Sequence, residues 1–251
     1  MGFLDGKVAL VTGAGQGIGR GIAYALAANG ASVAAVGRTL SKLQDTAAEI
    51  ERRGGRAIAL QCDVTIPAEK TSATERTLHD LGGLNILVNN AQEFCFGTLN
   101  EIDLALVEAG WKSGPLATLL FMREAFSALR GSGIVVNVSS SAAVDAPVAG
   151  IGIYGATKSA IGALSRTAAV EWAGDGIRVN TIMPVARTPA VQAVLDRNPG
   201  FEDGMIAEIP LGRLGDPEQD IGAAVCFLCG DQASYVTGTT LTIDGGRTRL
   251  R

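Results

Sequence analysis

Histidine occurs once and cysteine four times in the 251 residues, which leaves little with which to hold a metal. Cys226 and Cys229 have the spacing of a ligand or redox pair, but there is no second pair. The lone His79 falls on a polar helical stretch far away in sequence, and Ala223-Ala224-Val225-Cys226-Phe227-Leu228 reads as one buried helix face. No metal site is expected. Met1-Gly2-Phe3-Leu4-Asp5-Gly6-Lys7 carries no secretory pattern, so Cys62, Cys95, Cys226 and Cys229 are expected to stay reduced in a cytoplasmic protein. A block of Lys and Arg is also lacking: 21 basic against 25 acidic residues leave a formal charge of -4, which argues against nucleic acid as a partner. No apolar run approaches the ~20 residues that cross a bilayer, so no membrane partner is expected. Repeats, linkers and low-complexity tracts are missing too, and the length suits one domain over residues 1–251.

What is present is alternation. Short, nearly all-apolar runs at Val8–Val11, Ser32–Val36, Arg56–Gln61, Asn85–Asn89, Gly133–Val138, Ile177–Ile182 and Thr240–Ile243 predict strands. Between them, Ile18–Asn29, Leu40–Arg53, Pro67–Leu81, Ile102–Leu129, Tyr154–Ala173 and Pro217–Cys229 predict helices. Strands that are apolar on both faces need helices on both faces, hence an α/β doubly wound fold with a parallel sheet. The stretch 188–210, polar and interrupted by Pro189, Pro199 and Gly200, reads as an irregular, mobile substrate-side lid.

In such a sheet ligands bind at the carboxyl ends of the strands. There, between the first strand and helix, stands Thr12-Gly13-Ala14-Gly15-Gln16-Gly17-Ile18-Gly19, whose glycines let the backbone approach a pyrophosphate at a helix start. Strand two ends in Gly37-Arg38. An acidic residue at that place would take the ribose 2′-hydroxyl and repel a 2′-phosphate; a glycine opens space, and a guanidinium suits phosphate. NADP(H) is therefore expected over NAD(H), by a moderate margin. Farther on, Tyr154-Gly155-Ala156-Thr157-Lys158 puts a phenol and an ammonium four residues apart, on one helix face, where a cation favours the phenolate and acid/base work becomes possible. By itself that pair is as well read as a half-buried ring beside a solvated charge.

Taken together with Asp63-Val64, Asn89-Asn90-Ala91, Asn137-Val138-Ser139-Ser140, Arg178-Val179-Asn180 and Gly238-Thr239-Thr240-Leu241-Thr242-Ile243-Asp244-Gly245-Gly246, these motifs resemble the short-chain dehydrogenases/reductases over nearly the whole chain. The resemblance implies a single-domain Rossmann-type fold with a seven-stranded parallel sheet flanked by helices. It implies hydride transfer between NADP(H) and a carbonyl or secondary alcohol. Gly13, Gly17 and Gly19 would line the pyrophosphate, with Gln16 and Ile18 in the same cofactor-binding loop. Asp63 and Val64 would hold the adenine, and Asn89 and Ala91 would lie along the cofactor. Pro184 joins this set, and Thr188 resembles the threonine at the carboxamide. Tyr154 would exchange the proton with the substrate oxygen, Lys158 would lower the tyrosine's pKa and bind the ribose, and a serine would hold the carbonyl. Ser140 fits the strand end, whereas Ser141 fits the usual distance to Tyr154; both stay open. Small residues Ala160, Gly162 and Ala163 suit packing against a twofold mate, and the resemblance implies a homo-tetramer.

Three places depart from the family's pattern. Gln92 stands where a glycine is usual. Trp111-Lys112-Ser113-Gly114-Pro115-Leu116-Ala117-Thr118 contains no asparagine where one is expected to support proton relay. Pro184-Val185-Ala186-Arg187-Thr188 lacks a glycine and is one residue short. They motivate an alternative, a catalytically weak cofactor-binding sensor or assembly subunit, against which the retained serine, tyrosine and lysine argue. Phe94, Phe96, Leu99, Val144, Ala149 and Ile151, with the lid, would make an apolar pocket for a small-molecule substrate.

Overall fold

In the computed structural model, which describes residues 2–145, 149–198 and 200–248, the strands are β1 (Val8–Thr12), β2 (Ser32–Gly37), β3 (Arg56–Gln61), β4 (Ile86–Asn89), β5 (Ile134–Val138), β6 (Arg178–Pro184) and β7 (Thr240–Ile243). They form one parallel sheet in the order β3-β2-β1-β4-β5-β6-β7. The helices are α1 (Gly17–Ala28), α2 (Leu40–Arg52), α3 (Pro67–Leu81), α4 (Leu104–Trp111), α5 (Ala117–Leu129), α6 (Gly152–Glu171), α7 (Pro189–Arg197), α8 (Phe201–Ala207) and α9 (Ala223–Cys229). Every residue of β1, β4 and β5 is buried, and two apolar clusters lie on opposite faces of the sheet. One has Ile22, Leu26 and Val225 against Val11, Val33 and Val88, and the other has Phe121, Met122 and Ala125 against Leu10, Leu87 and Val135. Sequence order reverses beside β1, whose neighbours are β2 and β4, and the loops at that point splay apart into a crevice.

Two elements differ from the sequence expectation. The helix expected over Ile102–Leu129 runs without a break from Leu104 to Leu129 but changes its winding: Asp103 Oδ1 accepts from Ala105 N at 2.9 Å and starts α4, and a π-helical turn at Lys112–Leu116 joins α4 to α5. Pro115 lies within that turn; proline brings no N–H to a helical ladder and crowds the preceding turn, so a wider turn accommodates it. The stretch 188–210 is not irregular. Thr188 Oγ1 accepts from Val191 N at 3.2 Å and Pro189 takes the first helical position, together a start signal for α7 that contributes about 1 kcal/mol. Leu195, Ile209 and Leu214 bury themselves as a separate small cluster, while Pro199 lies outside the described residues.

Candidate active site

The crevice is a cleft of about 1010 Å³. At its floor the chain leaves β1 and turns with positive φ at Gly13 (69°) and Gly17 (55°), conformations that a side chain disfavours. Gln16 and Ile18 line the cleft with them. Gly19 does a different job: a Cβ there would strike Gly13 O and Asn90 Nδ2, so it lets α1 pack onto the loop. Arg38 lies at the cleft's end, and Gln61 Nε2 donates to its carbonyl at 3.0 Å. Lys42, in the first turn of α2, donates to Gln16 Oε1 at 2.6 Å and brings a second cation into the same wall. Opposing them is Glu93, whose Oε2 pairs with Arg38 at 3.0 Å. Asp63 and Val64 form the wall past β3. Burial pushes the Asp63 carboxyl up, but hydrogen bonds from Thr65 N and Oγ1 outweigh it and leave the pKa lowered. Ala91 and Thr188 also line the cleft. Asn89 does not: its side chain turns behind the wall to donate to Asn137 Oδ1 at 2.9 Å, and Asn90 takes the cleft position. Pro184 ends β6 and is not part of this wall.

Tyr154 and Lys158 sit on the first turns of α6, with Lys158 Nζ 5.5 Å from the centroid of the Tyr154 ring. Lys158 is 3% exposed, and its ammonium donates to Val138 O at 2.7 Å, at the end of β5. Burial drives its pKa down to about 7 and pushes the Tyr154 phenol up to about 12, with a hydrogen bond from the Ser140 side chain pulling the phenol partly back. The expected lowering of the tyrosine by the lysine is thus reversed. An amine stripped of water holds its proton weakly, and a phenol stripped of water holds its proton tightly. Of the two serines, Ser140 reaches the phenol; Ser141 opens a 3-10 turn, Ser141–Ala143, against α6. Ser139 donates to Lys158 O at 3.0 Å and fastens α6 to the strand end.

This combination was compared with known proteins. A family model described as enoyl-(acyl carrier protein) reductase, of the short-chain alcohol dehydrogenase type, matches residues 13–248. A 12α-hydroxysteroid dehydrogenase of a Clostridium species is 37% identical over 261 residues, covering 98% of each chain. The chain is a short-chain dehydrogenase/reductase. Among solved structures, a 7α-hydroxysteroid dehydrogenase complexed with NADH and 7-oxo glycochenodeoxycholic acid superposes with a TM-score of 0.92 at 33% identity, over 99% of this chain and 97% of that one. A short chain dehydrogenase from Burkholderia cenocepacia in complex with NADP does so with 0.90 at 35%, over 98% and 99%. This short-chain dehydrogenase/reductase is accordingly an NAD(P)-dependent oxidoreductase.

Two of the three departures of this short-chain dehydrogenase/reductase, Gln92 and the asparagine-free stretch, meet beside the turn of α6 that carries Tyr154 and Lys158. The asparagine-free stretch is the π turn itself, where Ser113 Oγ accepts from Glu93 N at 2.9 Å and donates to Ala109 O at 2.6 Å. Gly114 packs against the Gln92 amide, so an asparagine at 114 would collide with it. After Pro184, the shortened loop is pinned by Val185 N to Ile243 O and Arg187 N to Gly215 O. Beside Tyr154 stands an aromatic wall: the Phe94 ring centroid lies 4.8 Å from that of Tyr154 and 6.4 Å from that of Phe96, and both phenylalanines are half exposed. Gly150 backs onto Phe96 and Gly152 onto Leu99, with Ala149 and Ile151 on the same segment, and Val144 is exposed. Sequence reasoning missed Lys42, Glu93 and Asn90. Lys42 was signalled by a basic residue in the first turn after Gly37-Arg38, whereas the Arg38–Glu93 pair joins residues 55 apart and left no local signal.

Proposed function

We propose that this oxidoreductase interconverts a secondary alcohol and a ketone with an apolar body, using NADP(H) in preference to NAD(H). The observation that carries the reading is the convergence of the Tyr154 phenol, the Ser140 hydroxyl and the enclosed Lys158 amine at the end of β5, beneath an exposed aromatic wall. A dinucleotide fits the cleft: positive-φ glycines leave the floor bare where a Cβ would intrude, and Arg38 and Lys42 supply positive charge at the far end. When bound, the nicotinamide supplies or accepts the hydride. In carbonyl reduction Tyr154 gives its proton to the substrate oxygen while Ser140 donates a hydrogen bond to that oxygen and fixes its place. Tyr154 is suited to this as an acid, because burial keeps the proton on it until the oxygen becomes more basic. Lys158 holds the charge that develops on the phenolate. Phe94 and Phe96 position the substrate's body. Gly13, Gly17 and Ile18 would cradle the pyrophosphate, Asp63 and Val64 the adenine, and Ala91 and Thr188 the inner half. The sensor alternative needs no phenol and enclosed amine on one turn, and nothing in the site favours it.

The preference for NADP(H) is moderate because Glu93 competes for Arg38. We place the enzyme in the cytoplasm as a homo-tetramer, a reading supported by four free cysteines and by exposed Val170 on α6 and Leu116 beside α5. NADPH oxidation with a panel of bulky and small ketones tests the reading. Turnover with at least one apolar ketone is expected, and tight NADPH binding with no turnover across the panel would reject it. Light scattering at micromolar concentration should give four times 25.7 kDa, and a monomeric mass would reject the assembly.

A further inference from the structure

The wall past β3 is braced from behind by a side chain that a protein core does not ordinarily hold. Lys70, near the start of α3, is 2% exposed, and its ammonium donates to Val64 O at 2.9 Å. Lysine is rarely enclosed without an opposite charge, and this one has a carbonyl as its partner. Burial lowers its pKa, against the fields of Cys62, Asp63 and Glu69 and of Glu124 on α5. Its neighbour Glu69 accepts from Asp63 N at 2.7 Å through Oε2. Together the two side chains hold the peptide groups on either side of the one that joins Asp63 to Val64. Peptide groups are planar, so fixing the two flanking planes leaves the middle one little freedom. Ile66 N donates to Asp63 O at 3.0 Å and pins that middle group at its carbonyl. At its other end, Val64 N–H has no acceptor among the described residues, whereas the N–H groups of Cys62, Asp63, Thr65 and Ile66 are all engaged. The Asp63 carboxylate is divided in the same way. Oδ1 accepts from Thr65 N at 2.8 Å and from its Oγ1 at 2.7 Å, and Oδ2 accepts from none of the described residues. Asp63 and Val64 both line the cleft, so an open acceptor and an open donor stand there on adjacent residues.

We propose that Glu69 and Lys70 are positioning residues for the purine end of the cofactor: they hold Asp63 Oδ2 and Val64 N–H as a pair that accepts from an exocyclic amine and donates to the adjoining ring nitrogen. The proposal rests on reading the cleft as a dinucleotide site. Adenine carries such an amine beside an acceptor nitrogen. Hypoxanthine carries an oxygen and an N–H in the same two places, so a carboxylate would meet an oxygen and a donor would meet a donor. The brace behind the wall therefore sets how strictly the cleft tells one base from the other.

The test titrates the full chain with NADPH and with its hypoxanthine analogue, reading nicotinamide fluorescence, for wild type, Lys70→Met, Glu69→Ala and Glu69→Gln. Wild type should bind NADPH tighter than the analogue by roughly tenfold to a hundredfold, the worth of a two-bond base contact. Lys70→Met keeps a long unbranched side chain in the enclosed space and removes the donor to Val64 O. Its NADPH affinity should fall roughly tenfold while its affinity for the analogue stays, so the discrimination shrinks. Glu69→Ala releases the Asp63 amide and should act in the same direction. Glu69→Gln keeps an oxygen to accept from that amide and should hold the wild-type ratio. An unaltered ratio in a folded Lys70→Met would overturn the proposal. Equal weakening of both ligands would do so too, since it leaves Lys70 a packing residue. Equal binding of both by the wild type would remove the donor and acceptor pair, and the proposal with it. Should Lys70→Met fail to fold in a melting curve, Glu69→Ala decides, and a preserved ratio there rejects the assignment. Failure of the wild type to bind either dinucleotide would sink the parent reading, whereas tight NADPH binding with an unaltered ratio in Lys70→Met would sink this proposal alone.

Discussion

Along the wall of the cleft built from β1, β2 and β3, Gly13, Gly17, Asp63 and Val64 keep the family's pattern, and the charges of Arg38 and Lys42 are added to it. Along the wall built from the loops after β4 and β6, a glycine has become Gln92, an asparagine has given way to a π turn with Pro115, and the segment after Pro184 is shortened. The two walls face demands of unequal rigidity. A pyrophosphate needs bare backbone at fixed φ, and few residues meet that demand. Supporting the turn that carries Tyr154 needs only hydrogen bonds of ordinary length, such as the one from Gln92 Nε2 to Thr157 Oγ1 at 2.6 Å.

The largest effect that would sharpen this contrast is expected from Lys158→Met. Turnover should fall by roughly 10²–10⁴, and cofactor affinity should fall too if the amine binds the ribose; unchanged steady-state rates would break the account. The same variant carries a pH signature. Lys158 has a folded pKa near 7 against about 10.5 unfolded, so the unfolded chain binds more protons between those values, and wild-type stability should rise with pH across that window. Melting temperatures should show Lys158→Met gaining on wild type at pH 6 and losing that advantage by pH 10; a constant gap contradicts the burial argument. Next, Gly37→Asp with Arg38→Leu should move preference from NADPH toward NADH by roughly one to two decades, the worth of a charge-assisted bond of about 1.5–3 kcal/mol. Space permits it, since a Cβ at Gly37 would meet Leu43 at 3.4 Å. Fluorescence titration with both cofactors reads the outcome, and a preference unmoved by the pair of changes would take Arg38 out of the phosphate site.

On the rebuilt wall, Gly114→Ala should overpack the Gln92 amide and destabilise by about 1–3 kcal/mol, and Gln92→Gly in the same chain should recover most of it. Additive losses in thermal melts would mean that the two do not share the gap. The smallest effect is Glu93→Gln. An exposed pair contributes at most about 1 kcal/mol, so releasing Arg38 should tighten NADPH up to about fivefold and leave NADH unaffected. Weaker NADPH binding would show that Glu93 helps rather than competes.

The sheet was legible because its strands are apolar on both faces, and the glycine loop because its residues adjoin in sequence. The helices within 188–210 are hidden in the sequence although Thr188-Pro189 signals a helix start, since Pro189, Pro199 and Gly200 also read as breakers. The π turn was out of reach: Pro115 marks a disturbance, but whether a helix ends, kinks or widens there depends on what packs against it. Ser140 and Ser141 could not be separated by counting residues to Tyr154, because the turn between strand and helix absorbs one residue without changing the motif. The direction of the Tyr154 shift was misjudged for a related reason. Spacing places a cation beside a phenol, but only the packed structure tells how completely both are stripped of water.

The most direct measurement takes Tyr154→Phe and records NADPH affinity by fluorescence and turnover by absorbance on the same sample. Because the phenylalanine deletes one oxygen and keeps the ring against Phe94, affinity should stay at the wild-type value while turnover falls below a hundredth of it. Turnover above that level, with affinity intact, would show that the proton comes from another group and that the phenol at the end of β5 is a packing residue.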